Sequence, residues 1–184
     1  VELDPKGRPI AMKRVERLMS HRIIEECMLA ANEAVADHLT KLKRPVLYRI
    51  HERPEKEAMS RLAARLSLLG LRLAREGASR EPATLQAVIK KALGKPFERL
   101  ANLMVLRTMT KAVYSAHRAI HFGLASQCYT HFTSPIRRYP DIIVHRSLAA
   151  TLDTRPEEAE KTSSLTELAA TCSSGERRAM VAER

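Results

Sequence analysis

The sequence predicts a helix-dominated α+β fold with a few short strands. Apolar residues recur at a three-and-four spacing over several long segments, which is the period of a helix buried on one side. Proline and glycine punctuate those segments, as at Pro82 and Gly94, where a first helical residue and a helix stop belong. Two short stretches near the start carry turn residues or β-branched runs that suit strands instead. The chain has 184 residues with 45% hydrophobic content, enough for one domain with a sizeable core.

Residues 1–12 have a strand-turn-strand pattern with Asp4-Pro5-Lys6-Gly7 as the turn. From 13 to 43 the apolar positions Val15, Leu18, Met19, Ile23, Cys27, Ala31, Val35 and Leu39 predict one long helix with a wide buried face. Pro45 to His51 is a short strand candidate. Pro54 opens the next predicted helix and Gly70 closes it; Pro82 and Gly94 bracket another. A fourth helix is predicted over 97–114, with Leu100, Leu103, Met104, Leu106 and Met109 on one face. Pro140-Asp141 opens a helix through Leu152, with the acid near the positive end of the dipole. Ser164 and Glu167 have capping-box spacing and start a last helix, predicted to be running still at Arg184.

Lys and Arg number 32 against 21 Asp and Glu, a formal net charge of +11. An excess of that size suits a polyanion, because each phosphate neutralised by Lys or Arg releases counterions. No run approaches the ~18 apolar residues of a membrane span, and residues 1–10 lack the basic start and apolar centre of a secretory signal. Cys27, Cys128 and Cys172 are far apart without CxxC spacing, and read as reduced thiols of a cytoplasmic protein.

Aromatic residues are unevenly placed: five of seven, Tyr114, Phe122, Tyr129, Phe132 and Tyr139, fall between 101 and 150. The same stretch holds His117, His121, His131 and His145, and six Lys/Arg against the single acid Asp141. Within it, Pro135 and Pro140 stiffen a short piece that presents Arg137, Arg138 and Tyr139 ahead of a helix N-terminus. The planar fork of arginine matches phosphate oxygens, and a stiff backbone lowers the ordering cost of each bond. The alternative is that one arginine, Arg138 more readily than Arg137, is bound to Asp141.

Acids are sparse. The aspartates are Asp4, Asp37, Asp141 and Asp153, too far apart in sequence to form the cluster that clamps paired metal ions. Glu25 shares a helical stripe with Leu18, His21, Met28, Leu29 and Asn32, where it is either satisfied by His21 or Arg22 or faces a site. His117 with His121, and Asp141 with His145, have one-turn metal spacing but no third ligand, and a structural contact from Asp141 to His145 or Arg146 is the alternative.

The run His121-Phe122-Gly123-Leu124, Tyr129 and His131-Phe132-Thr133-Ser134-Pro135-Ile136-Arg137-Arg138-Tyr139-Pro140-Asp141-Ile142-Ile143-Val144-His145-Arg146 resembles the RNB catalytic domain of the ribonuclease II and ribonuclease R family. Residues 24–32, 47–52, 176–178 and 182–184 resemble further segments of that domain, so the resemblance covers essentially the whole chain. The ribonuclease R branch is the nearer, by His131-Phe132 and Arg138-Tyr139-Pro140-Asp141.

The resemblance implies a processive, magnesium-dependent 3′-to-5′ hydrolysis of single-stranded RNA to nucleoside 5′-monophosphates, by a monomer. It implies that Arg137 grips phosphate beside the scissile bond, that Glu25 helps position the 3′-terminal nucleotide, and that Glu183 affects how substrate is held. Arg137, Arg138, Tyr129, Tyr139, Arg146 and His121 form the candidate RNA-contacting set. The family's metal-binding aspartates belong to the first half of the domain, and no magnesium ligand is expected here. Residues 1–184 are therefore expected to be the C-terminal portion of such a domain, without its aspartate-bearing half or the flanking β-barrel RNA-binding domains. The remainder of the polypeptide would complete the two-metal centre. The rival reading is a non-catalytic single-stranded RNA-binding module.

Overall fold

The computed structural model describes residues 1–11, 18–73, 81–152 and 162–183. Strands β1 (Glu2–Leu3) and β2 (Pro9–Ala11) pair antiparallel through the predicted turn. Asp4 holds that turn: its Oδ1 accepts the amides of Lys6 and Arg8, each at 2.8 Å, and Gly7 takes the left-handed φ of 77° that the reversal needs.

Helix α1 (Met19–Lys41) is one long helix of about 34 Å, but it starts later than its periodicity predicts. Leu18 has extended backbone, and the expected helical turn around Val15 lies outside the described residues. Only its second half is packed. Asn32, Ala36 and Leu39 are buried, whereas Leu18 to Cys27 are all exposed. The wide buried face expected along its whole length is thus half realised, because no described element covers the first three turns.

Strand β3 (Tyr48–Ile50) pairs antiparallel with β4 (Val113–Ser115), Tyr48 opposite Ser115 and Ile50 opposite Val113. Between them, α2 (Lys56–Ser67), α3 (Pro82–Ala92) and α4 (Glu98–Thr108) close around Met59, Leu62, Leu66, Leu85, Val88, Ala101 and Val105, with Phe122 fully buried among them. Pro82 opens α3 as predicted, while Pro54 is buried ahead of the α2 cap, Glu55, rather than being the first helical residue.

The helix predicted to reach Tyr114 stops at Thr108, and β4 follows. The Thr110 hydroxyl donates to the Glu52 carbonyl, the Tyr114 amide donates to Ser173 Oγ, and β3 supplies the remaining backbone partners. Tertiary pairing outweighs the helical period there.

Helix α5 (Tyr139–Thr151) buries Ile143 and Val144 between the sheet and the remaining helices. Helix α6 (Thr162–Ala182) packs on β4 through Leu165 and Ala169. It begins before Ser164, so the expected capping box is not its start, and it closes at Ala182 with Glu183 in a turn. Asp153 and Arg184 lie outside the described residues.

Candidate nucleic-acid interface

Asn32 organises the site. About two helical turns beyond Glu25, it points inward from α1, and its Oδ1 accepts the backbone amides of Phe132 (2.9 Å) and Thr133 (3.2 Å). Its Nδ2 donates to the Tyr129 hydroxyl at 2.9 Å. The His131-Phe132-Thr133-Ser134 segment is thereby pinned to α1, and its other end is pinned by Asp141. Asp141 is 0% exposed; its Oδ1 accepts the Ser134 amide and the Arg138 guanidinium, both at 2.8 Å. His145 stacks on Phe132 at 4.1 Å and donates from Nε2 to the Phe132 carbonyl.

A ladder of rings runs behind this segment. His51 meets Phe122 and His121 edge-on, His121 meets Tyr129, Tyr129 meets His131, and His131 meets Tyr114, with centroid spacings from 5.3 to 6.2 Å. The Arg49 guanidinium closes the ladder 4.6 Å over Tyr114 and forks onto Glu176 of α6 at 2.8 and 2.9 Å. The tautomer of His51 is fixed: the Gly123 amide donates to Nδ1, so Nε2 carries the proton and donates to the Thr110 carbonyl.

The electrostatics follow from burial and from the arginines. Burial, with Arg138 and Arg49 close by, lowers the His131 pKa to about 3. Burial, helped by His51, lowers that of His121 to about 4. Burial pushes the Tyr114 phenol up to about 12, against the opposing pull of Arg49. His121 and His131 are therefore neutral in neutral solution, and around them the positive charge resides on guanidiniums.

Those guanidiniums have different commitments. Arg49 is bound to Glu176, and Arg138 is bound to Asp141 as the structural alternative had it. Arg137 is exposed, and its side chain has no ion pair or hydrogen bond among the described residues. Its backbone is held instead, the amide donating to the Ser134 carbonyl. It lies close enough to help keep His131 neutral. Tyr139 is half exposed beside it, and Arg146 is half buried on α5.

Other expected positions differ. Tyr129 is buried with its hydroxyl held by Asn32, so it supports the histidines and offers no open face for a base. Asp141 makes its contact with Arg138, not with His145 or Arg146. Glu25 is exposed on the uncovered half of α1, and Glu183 is exposed just past α6. Sequence reasoning did not single out Arg49, His51 or Glu176 as site residues. The one available signal was Arg49, a charge in the middle of an apolar strand.

Among the described residues no three His, Cys, Asp or Glu side chains come together as a metal would require, and Asp141 is already bound to Ser134 and Arg138. No described helix is long and apolar enough to cross a membrane.

The RNB domain family matches residues 1–154. The chain belongs to that family. Ribonuclease R of Aquifex aeolicus is 46% identical over 162 residues, which are 88% of this chain and 23% of that protein. Ribonuclease R of Thermotoga maritima is 40% identical over 188 residues, covering 100% of this chain and 26% of the relative. Among solved structures, the Mycoplasma genitalium RNase R in complex with ribose methylated single-stranded RNA superposes with a TM-score of 0.89 at 30% identity, over 99% of this chain and 29% of that one. The chain thus spans about a quarter of the length of these relatives. The RNB match takes in Asn32, the ring ladder and the Arg137 turn, while Glu176 and Glu183 lie beyond it.

Proposed function

We propose that this chain supplies the substrate-gripping part of a 3′-to-5′ hydrolytic exoribonuclease acting on single-stranded RNA, as the C-terminal portion of its RNB catalytic domain. The observation that carries this reading is the state of Arg137. Of the three guanidiniums around His131 and Tyr114, two are neutralised by carboxylates and the third is open, on a backbone fixed by Asn32 and Asp141. An unpaired fork on a rigid turn favours a phosphate, and most of all one that gains charge as its phosphorus becomes five-coordinate. Arg138, already paired, orients the turn; Tyr139 and the half-buried Arg146 flank it. Glu25 and Glu183 would act at the margins, on the 3′-terminal nucleotide and on the run of the strand. The metal-binding carboxylates would come from polypeptide outside this chain, in a cytoplasmic enzyme.

In a longer protein that carries the aspartate-bearing half, Arg137→Ala should raise the barrier to mononucleotide release by roughly 2–4 kcal/mol, as for loss of one charge-stabilising donor. An unchanged rate refutes the assignment. The rival reading is a binding module that holds RNA without cutting it, through the same open Arg137. Closely spaced aspartates encoded upstream of Val1 would separate the two.

A further inference from the structure

We propose that the groove between α2 and α4 is a docking site for an acidic amphipathic helix of a partner protein. The groove is a cavity of about 400 Å³ on the three-helix unit, made from elements other than those that carry Arg137. Arg61 and Arg65, one turn apart on α2, line it together with Arg107 of α4; Leu100, Leu103 and Met104 form its floor.

Three observations favour this occupant. The inner faces of α2 and α4 are already used: Met59, Leu62 and Leu66 on one helix and Ala101 and Val105 on the other fill the core. Leu100 and Leu103, 45% and 42% exposed, therefore make a second apolar surface that the fold itself does not cover. The arginines are also uncommitted. Arg49, Arg53 and Arg138 each have a carboxylate partner, whereas Arg61, Arg65 and Arg107 have none among the described residues, and no acid lines the groove.

An apolar floor with a guanidinium rim selects between ligand classes. A phosphate chain would satisfy the rim but cover the leucines with polar groups, leaving their burial unrewarded. A helix with Leu or Phe at i, i+3, i+4 and i+7 and acids beside them satisfies both, the apolar anchors giving affinity and the charges giving register.

The test is a fluorescence-anisotropy titration of the chain with a labelled peptide helix of about five turns. The peptide carries Leu at i, i+3, i+4 and i+7 with Glu on either side. A peptide of the same composition in scrambled order is the control. Saturable binding of the patterned peptide is expected, about tenfold or more weaker for the variant R61E/R65E/R107E. A similar loss of about tenfold is expected for Leu103→Asn, which removes one buried anchor. Circular dichroism verifies that each variant is folded; if the triple variant is not, Leu103→Asn decides.

The proposal is overturned by any of four outcomes: no saturable binding, equal binding of the scrambled peptide, variants that bind like the parent, or loss of binding in a longer protein whose other parts fill the groove. It is also overturned if oligoadenylate RNA displaces the peptide and itself binds less well to the triple variant, for the groove is then a phosphate track. None of these readouts depends on RNA cleavage, so the docking surface can fail while the nuclease reading stands.

Discussion

Two half-buried histidines that desolvation keeps neutral make this fold acid-labile in a definite window. His131 and His121 have folded pKa values of about 3 and about 4, against about 6.5 in an unfolded chain. Between those values the unfolded chain binds more protons than the folded one, so stability rises with pH and is lost as pH falls from 6.5 toward the folded pKa. At pH 5 the unfolded histidines are about 97% protonated, while folded His131 and His121 carry about 1% and 10% of a proton. Taking the chain from pH 7 to pH 5 thus costs about 2 kcal/mol for His131 and, allowing for solvent reaching the less buried ring, about 1 kcal/mol for His121. About 3 kcal/mol is a large share of a domain's usual 5–15 kcal/mol.

Urea denaturation at pH 7, 6 and 5 measures it. With a slope of ~2 kcal/mol per molar for a chain of this size, the midpoint should fall by about 1.5 M. His131→Asn keeps a hydrogen-bonding group beside Tyr114 but does not titrate, and should remove more than half of the fall. A midpoint that does not move between pH 7 and pH 5, or one that moves equally in His131→Asn, refutes the reasoning.

Asn32→Ala removes three hydrogen bonds and leaves the amides of Phe132 and Thr133 without their acceptor. It should lower unfolding stability by about 2–4 kcal/mol, read by urea titration, and Asn32→Asp should recover part of that because a carboxylate still accepts both amides. Gly123→Ala would set a Cβ 2.8 Å from His51 Nδ1, the same nitrogen that accepts the residue's amide, so the backbone cannot retreat without breaking that bond. A loss of about 1–3 kcal/mol is expected in the same assay.

Much of the fold was legible. The Asp4 turn, the Pro82 start of α3 and, to within one residue, the α5 start expected at Pro140-Asp141 depend on side chains and prolines within a few residues of where they act, and they stand where the sequence puts them. What was lost was set at long range. The stretch Val113–Ser115 has the periodicity of a helix end, yet it is a strand because β3 lies 63 to 67 residues earlier in register with it. Similarly, Arg49 becomes a site residue only through Glu176, 127 positions away, and nothing near Arg49 announces that partner. In the site itself, the stiff Arg137 turn could be read from its two prolines. The neutrality of His121 and His131 could not, because it depends on burial and on arginines from other elements.

The division of labour among the arginines explains why a chain of such high positive charge needs acids in this region at all. A guanidinium held at low exposure without a partner is costly, and Arg49 and Arg138, with side chains only 12% and 18% exposed, are each given one. Neither then offers much net charge to a ligand; what they offer is geometry, Arg49 tying β3 to α6 and Arg138 tying the turn to α5. Arg137 can remain unpaired because it is exposed, and it can remain directed because its neighbours are not. The neutral histidines belong to the same arrangement. Half-buried and neutral, His121 and His131 add no charge of their own, so among Arg49, Arg137 and Arg138 the open cation is Arg137. Removing Arg138 should consequently loosen the turn; on the proposed nuclease reading it would also weaken the hold on RNA, while removing Arg137 would act on the charge that develops in the reaction.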